Sequence, residues 1–209
     1  MTTVRPLRQD AARNRERLVA AARGVFRRKG LNAPLEEIAG DAGVAIGTLY
    51  NRFPARGDLV DAALATLAER AVEIAERAAC ASDPWDGFAS FMEGTCELLA
   101  DDRGYADLHR SGIPGTPVID AALKRTSVLK AAIVARAKAD GVLRADVESS
   151  DLVLLIWGIA ATADATRDAA PEAWRRHLAL QLDGLRPGAA HPLPGPPLTV
   201  GQLRDAGAI

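Results

Sequence analysis

The sequence predicts an all-α protein: a small N-terminal three-helix unit carrying a helix-turn-helix, followed by a larger C-terminal helical bundle. Three observations point there. Ala, Leu and Arg dominate the 209 residues, while aromatics make up only 4%. Apolar side chains recur every three or four positions through most of the chain, the period of an amphipathic helix. No segment shows the strict alternation of a strand, and there is no internal repeat. Hydrophobic residues at 48% and charged residues at 25% exclude wholesale disorder. No run of about 18 uncharged apolar residues occurs, so neither a spanning helix nor a membrane partner is expected. Met1-Thr2-Thr3-Val4-Arg5 lacks the apolar stretch of a secretory signal. Two cysteines, Cys80 and Cys96, are too few for a disulfide framework and wrongly spaced for zinc. A cytoplasmic protein without a metal or other cofactor is expected.

The elements follow in order. Residues 1–9 are polar and basic and read as a loose arm. From Asp10 to Lys29, Leu18, Ala22, Val25 and Phe26 recur at helical spacing. Gly30 suits the left-handed stop, and Arg27, Arg28 and Lys29 complement the dipole in the last turn. A short helix opens at Pro34, where proline's missing N–H costs nothing, with Glu36 and Glu37 in its first turn. Leu35, Ile38, Ala39 and Ala42 form its inner face, and Gly43 breaks it. A third helix runs from Ala45 or Ile46 to Arg52 and stops at Phe53-Pro54. A fourth starts near Ala55–Asp58 and reaches Ala79 through Leu59, Ala63 and Leu67. Pro84-Trp85-Asp86 opens a helix to about Ala100, with Phe88, Phe91, Met92 and Leu98 on its apolar side. A short helix and the loop Ser111-Gly112-Ile113-Pro114-Gly115 lead to a helix from Val118 to Ala139, ended by Asp140-Gly141. Residues Ser150 to Thr166 are the most apolar stretch; Leu152 to Ala161 carries no charge and should be buried on most sides. A last helix spans Pro171 to Leu185, with Trp174, Leu178, Gln181, Leu182 and Leu185 along one stripe. From Arg186 the chain is rich in Pro and Gly and reads as a flexible tail.

Charge divides the chain. Residues 1–60 hold eleven Lys/Arg against six Asp/Glu, a balance of +5, and the remainder holds fifteen against twenty-one, a balance of −6. A basic unit on an acidic body suggests an anionic partner for the first part; a solvated basic helix face fits the same numbers.

Leu35 to Leu59 is the informative segment. A short helix, a glycine turn and a second short helix form a helix-turn-helix, whose second helix fits a DNA major groove about 12 Å wide. In Ala45-Ile46-Gly47-Thr48-Leu49-Tyr50-Asn51-Arg52-Phe53, Leu49 and Phe53 stand four apart and face the core. Ile46, Thr48, Tyr50, Asn51 and Arg52 are left to point outward. Gly47 permits close approach to a phosphate, and Thr48 and Tyr50 can donate to one. Asn51 and Arg52 can pair with an adenine and a guanine edge. Tyr50 as a core aromatic and Arg52 as a dipole-complementing charge are the plainer alternatives.

Glu16–Val60, ERLVAAARGVFRRKGLNAPLEEIAGDAGVAIGTLYNRFPARGDLV, resembles the DNA-binding domain of the TetR family of transcriptional regulators. The matching residues are Phe26, Gly30, Ile38-Ala39, Ala42-Gly43-Val44, Gly47-Thr48-Leu49-Tyr50, Phe53 and a basic residue opening the fourth helix, here Arg56. Ala33 stands where the family often has a Thr that caps the second helix and touches phosphate. Ala45 replaces a frequent Ser, Arg52 a frequent His or aromatic, and Arg56 the usual Lys.

The resemblance implies a DNA-binding unit at 1–56, an effector-binding and dimerisation unit at 57–186 and a tail at 187–209. It implies a homodimeric repressor released from a palindromic double-stranded operator by a small molecule. The DNA-contacting candidates are Ala45, Ile46, Gly47, Thr48, Tyr50, Asn51, Arg52 and Arg56. Phe88, Met92, Cys96, Tyr105, His109 and Trp157 are candidates to line an effector cavity, although an aromatic or Met stripe at helical spacing is also ordinary core. Leu152, Leu155, Gly158, Ile159, Trp174, Leu178 and Leu182 are the candidate dimer interface. An enzyme is not expected: His109, His177 and His191 are far apart, and no phosphate loop or Gly-x-Ser-x-Gly elbow is present. A helical protein-binding adaptor, or a DNA binder without sequence preference or effector, are the alternatives.

Overall fold

The computed structural model describes residues 4–111, 113, 116–189 and 191–206, with the side chains of 4–9, Ser111, Ala189 and Arg204 left aside. The chain folds into α1 (Val4–Lys29), α2 (Leu35–Asp41), α3 (Ile46–Arg52), α4 (Arg56–Ala79), α5 (Pro84–Asp101), α6 (Arg103–Ser111), α7 (Pro117–Ala139), α8 (Ser149–Thr166), α9 (Ala173–Gly184), a 3₁₀ turn (Pro187–Ala189) and α10 (Val200–Asp205). No strand occurs among the described residues.

The local rules hold best at the N-terminal end. Gly30 takes φ +79° and its N–H closes on the Phe26 carbonyl at 2.8 Å, ending α1. Gly43 at φ +64° turns the chain between α2 and α3, with Val44 N–H on the Ala39 carbonyl. Pro34 sits just outside α2, at its N-cap, rather than at the first helical position. The expected arm at 1–9 needs correction, because α1 already runs from Val4. Most of that segment favours helix, and Pro6 falls in the first turn, where its missing N–H breaks no hydrogen bond.

Two cores share the long helix α4. The first joins α1, α2 and α3 (Leu18, Phe26, Ile38, Leu49, Phe53) to the first half of α4 and to Leu99, Tyr105, Leu108 and Ile119. The second joins the end of α4 to α5, α7, α8 and α9 through Phe88, Phe91, Met92, Ile133, Leu152, Ile159, Trp174 and Leu178. Asp61, nearly buried on α4, caps α7 by accepting from Val118 N–H at 3.2 Å and Ile119 N–H at 2.9 Å. This long-range cap fixes α7 against α4.

Three expectations for the C-terminal half change. Leu152, Ile159, Trp174, Leu178 and Leu182 are not a dimer surface; they are buried inside the single chain, where α8 packs on α5 and α9. The uncharged stretch of α8 is not buried on most sides. Leu154 is 41% exposed, and Val153, Leu155, Ile156, Trp157 and Gly158 are half-buried. The segment after Arg186 is not a featureless tail. Arg144, itself nearly buried, donates to the His191 carbonyl at 2.6 Å and pairs with Asp146 at 2.7 Å, and Leu203 of α10 is buried. The loop residues Gly112, Pro114 and Gly115 lie outside the described residues.

Candidate nucleic-acid interface

α3 is held by two side chains. Leu49 and Phe53 are buried, one helical turn apart, and every other position of the helix is left at or near the surface. Ala45, Gly47, Tyr50, Asn51 and Arg52 are exposed, and Ile46 and Thr48 are half-buried. Tyr50 is 50% exposed, so it is not a core aromatic. A Cβ at Gly47 would meet nothing within 4 Å in this chain. The missing side chain therefore creates space on the outer side only. Among the described residues, Tyr50, Asn51 and Arg52 make no side-chain hydrogen bond or ion pair within the protein.

Arg56 differs from the other candidates. Its guanidinium donates to the Ala33 carbonyl and its Nε is buried. It reaches back over the start of α2, where Ala33 has no side-chain oxygen to offer, and is engaged with the protein itself.

The basic character of the first helix also divides. Arg23 donates to the Ala63 carbonyl and to Thr66, both at 2.9 Å, Arg27 to the Asp101 carbonyl at 3.2 Å, and Arg28 and Lys29 pair with Asp41 and Glu37. Those four cations are exposed but engaged with carbonyls, a hydroxyl and carboxylates of the protein itself. Arg13, Arg15 and Arg17 are exposed; Arg15 lies 5.4 Å from the Phe53 ring centroid and Arg17 reaches the Gly43 carbonyl at 3.5 Å. Two of these cations thus flank α3 and its preceding turn. Sequence reasoning counted them only as net charge; their place on the exposed side of α1, away from Leu18 and Ala22, was the available signal.

α6 joins this N-terminal three-helix unit to the rest of the chain. Arg103, Asp107 and Arg110 form one stripe. Asp107 accepts from Leu31 N–H at 2.9 Å, and Arg103 donates to the Arg28 carbonyl at 2.8 Å and to Asp164 at 2.6 Å. Gly104 lies so close to Phe26 that a Cβ there would stand 2.8 Å from the Phe26 Cβ. Asp102 caps the helix through Tyr105 N–H at 2.9 Å, and burial raises its carboxyl above the usual range.

The six effector candidates do not line one cavity. Phe88, Met92 and Cys96 repeat every fourth residue along α5 and are fully packed in the second core, where burial pushes the Cys96 thiol up to about 12. Tyr105 belongs to the first core and meets His109 edge-on, with ring centroids 4.8 Å apart. Trp157 is half-exposed on α8 and belongs to neither core.

Comparison with known proteins places this geometry. Residues 18–63 match the model of the bacterial regulatory proteins of the tetR family, and residues 83–187 that of the SbtR-like transcriptional regulator C-terminal domain. The chain is similar to the TetR transcriptional regulator SCO0520 from Streptomyces coelicolor, at 32% identity over 83% of this chain and 98% of that one, with a TM-score of 0.55. It shares its fold with the transcriptional regulator FadR from Bacillus subtilis, solved in complex with stearoyl-CoA. That match has 18% identity, 84% and 99% coverage and a TM-score of 0.63. The TetR family regulator PfmR from Thermus thermophilus also shares it, at 21% identity, 81% and 98% coverage and a TM-score of 0.55. No curated protein matches the chain.

Proposed function

The chain belongs to the TetR family of bacterial transcriptional regulators, and from that premise we propose that it is a homodimeric, cytoplasmic repressor released from a palindromic operator by a small molecule. The observation that carries the reading is the outer face of α3. Thr48, Tyr50, Asn51 and Arg52 surround Gly47 on a helix held from behind by Leu49 and Phe53, with Arg15 and Arg17 alongside. The side chains nearest the bases would be Asn51 and Arg52, with Thr48, Tyr50 and the backbone at Ala45, Ile46 and Gly47 on phosphates. Binding rather than catalysis is its chemistry. Residues 1–56 are the reading unit, 57–186 the regulatory body and 187–209 a C-terminal appendage.

Two such heads must sit about 34–36 Å apart to read successive major grooves. The apolar face left uncovered on α8, with Leu154, Gly158 and Ala161 in one row and Leu155 beside it, is our dimer surface, together with Leu180 of α9, 62% exposed. An effector preferring a different position of α6 would shift the head through Asp107 and Arg103, changing that spacing by differential affinity for two states.

The test is selection from a randomised duplex pool at moderate salt, followed by sequencing. An enriched palindrome is expected; bound but unenriched DNA overturns the sequence-specific reading. The dimer is tested by Gly158→Glu, which meets open space in the single chain. A folded monomer in sedimentation is expected, and an intact dimer overturns the assigned face.

A further inference from the structure

Two polar atoms in the heart of the body have no partner among the described residues. The Tyr105 hydroxyl and His109 Nε2 are both buried with no hydrogen bond. An unpaired buried polar group forfeits its hydration with no return, so native proteins rarely leave two side by side. They stand one helical turn apart on α6, their rings 4.8 Å from each other. This is a different stripe from the one that clasps α1.

Lys130 of α7, half-buried, lies close enough for its charge to act on His109, and burial holds its own ammonium below the ordinary value. Burial first, and Lys130 second, push the imidazole from 6.5 down to about 4, so His109 is neutral near pH 7. The nearest carboxylate of α6, Asp107, is turned away to Leu31 N–H and Arg110. The surroundings are otherwise apolar, with Leu99, Leu108, Ile119 and Leu129 in the same core. Among the described residues, the region therefore holds two idle polar atoms and a cation without a counter-ion. α7 packs chiefly on α4, and Leu108 of α6 meets Ile119 and Ala122 of α7 only as members of the core that α4 organises.

We propose that Tyr105, His109 and Lys130 form the head-group site of the effector, and that the effector is a small monocarboxylate with an apolar body. The carboxylate pairs with Lys130 and accepts from the Tyr105 hydroxyl and from His109 Nε2–H. The apolar body enters between α6 and α7. The site rests on the ligand-released reading for its consequence, since α6 carries these groups on one side and the contacts to Leu31 and Arg28 on the other.

The experiment is calorimetric titration of the full-length protein, without DNA, using benzoate and hexanoate with benzamide and hexanamide as neutral counterparts. The carboxylates should bind and the amides should be at least about tenfold weaker, as expected for losing a charged hydrogen-bond partner. Tyr105→Phe removes one oxygen and should keep or raise the melting temperature while weakening carboxylate binding about tenfold. Lys130→Met should weaken it further. Equal affinity for acid and amide, unaltered affinity in both variants, or no binding of either acid overturns the proposal and leaves the two atoms to buried water. Carboxylate binding that is lost in the variants but never releases operator DNA supports the site and overturns the ligand-released reading instead.

Discussion

The N-terminal helix-turn-helix unit and the C-terminal helical body show opposite relations between pattern and position. α3 in the head is seven residues long, and two anchors four apart divide it cleanly into a buried and a free face. α8 in the body is eighteen residues long, with an uncharged run that offers no such division. In α3 the fully buried anchors are apolar and Tyr50, Asn51 and Arg52 are exposed, so spacing alone assigns the faces. In α8 every position from Leu152 to Ala161 is acceptable in a core, and packing against α5 and α9 decides that Leu152 and Ile159 go in while Leu154 stays out. A helix is legible to the extent that its residues disagree about water.

The contrast is sharpened most by core truncations. Leu49→Ala and Ile159→Ala remove fully buried side chains and should each cost about 2–5 kcal/mol of folding stability, measured by urea unfolding. Leu154→Ala should stay within about 0.5 kcal/mol under conditions where the chain is monomeric. Equal losses at Ile159 and Leu154 would break the assignment of α8's faces.

Acid sensitivity should follow from the body through His109. Its folded pKa lies below the unfolded value, so its contribution is complete above about 6.5 and is lost as pH falls toward about 4. The loss should be about 2–3 kcal/mol across that window, and His109→Leu should flatten it. An unchanged slope in the variant would remove His109 as the cause.

The head is probed by surface changes that leave folding intact. Arg52→Ala should cost about 1–3 kcal/mol of specific DNA binding and relax preference at one base position; a uniform loss on all sequences would make Arg52 a phosphate contact. Tyr50→Phe should weaken specific and non-specific binding alike by about 0.5–1.5 kcal/mol, read by fluorescence anisotropy, and an unchanged affinity would remove the hydroxyl from the interface. Smallest in folding is Gly47→Ala. With nothing within 4 Å of its Cβ, it should raise stability by about 0.5–1 kcal/mol through helix propensity while lowering DNA affinity. An unchanged affinity would show that the backbone there does not approach the phosphate.

Much of the fold was written in local chemistry. Gly30, Gly43, Phe53-Pro54, the Asp83-Pro84 start and Asp140-Gly141 mark helix ends through φ preferences, capping and missing donors, all of which act within a few residues. The outward set on α3 was legible for the same reason. Tertiary structure decided what depends on residues far apart in the chain. It placed Asp61 at the start of α7, turned Arg56 onto Ala33, and directed Arg27 to Asp101 of α5 and Arg28 to Asp41 of α2 while leaving Arg15 and Arg17 beside α3. It also buried Leu152, Ile159, Trp174, Leu178 and Leu182, which the resemblance assigned to a partner, and set the Tyr105 and His109 rings against each other in the interior. Periodicity specifies that a helix has an apolar side; which neighbour covers that side is set only when all the helices compete for the same core.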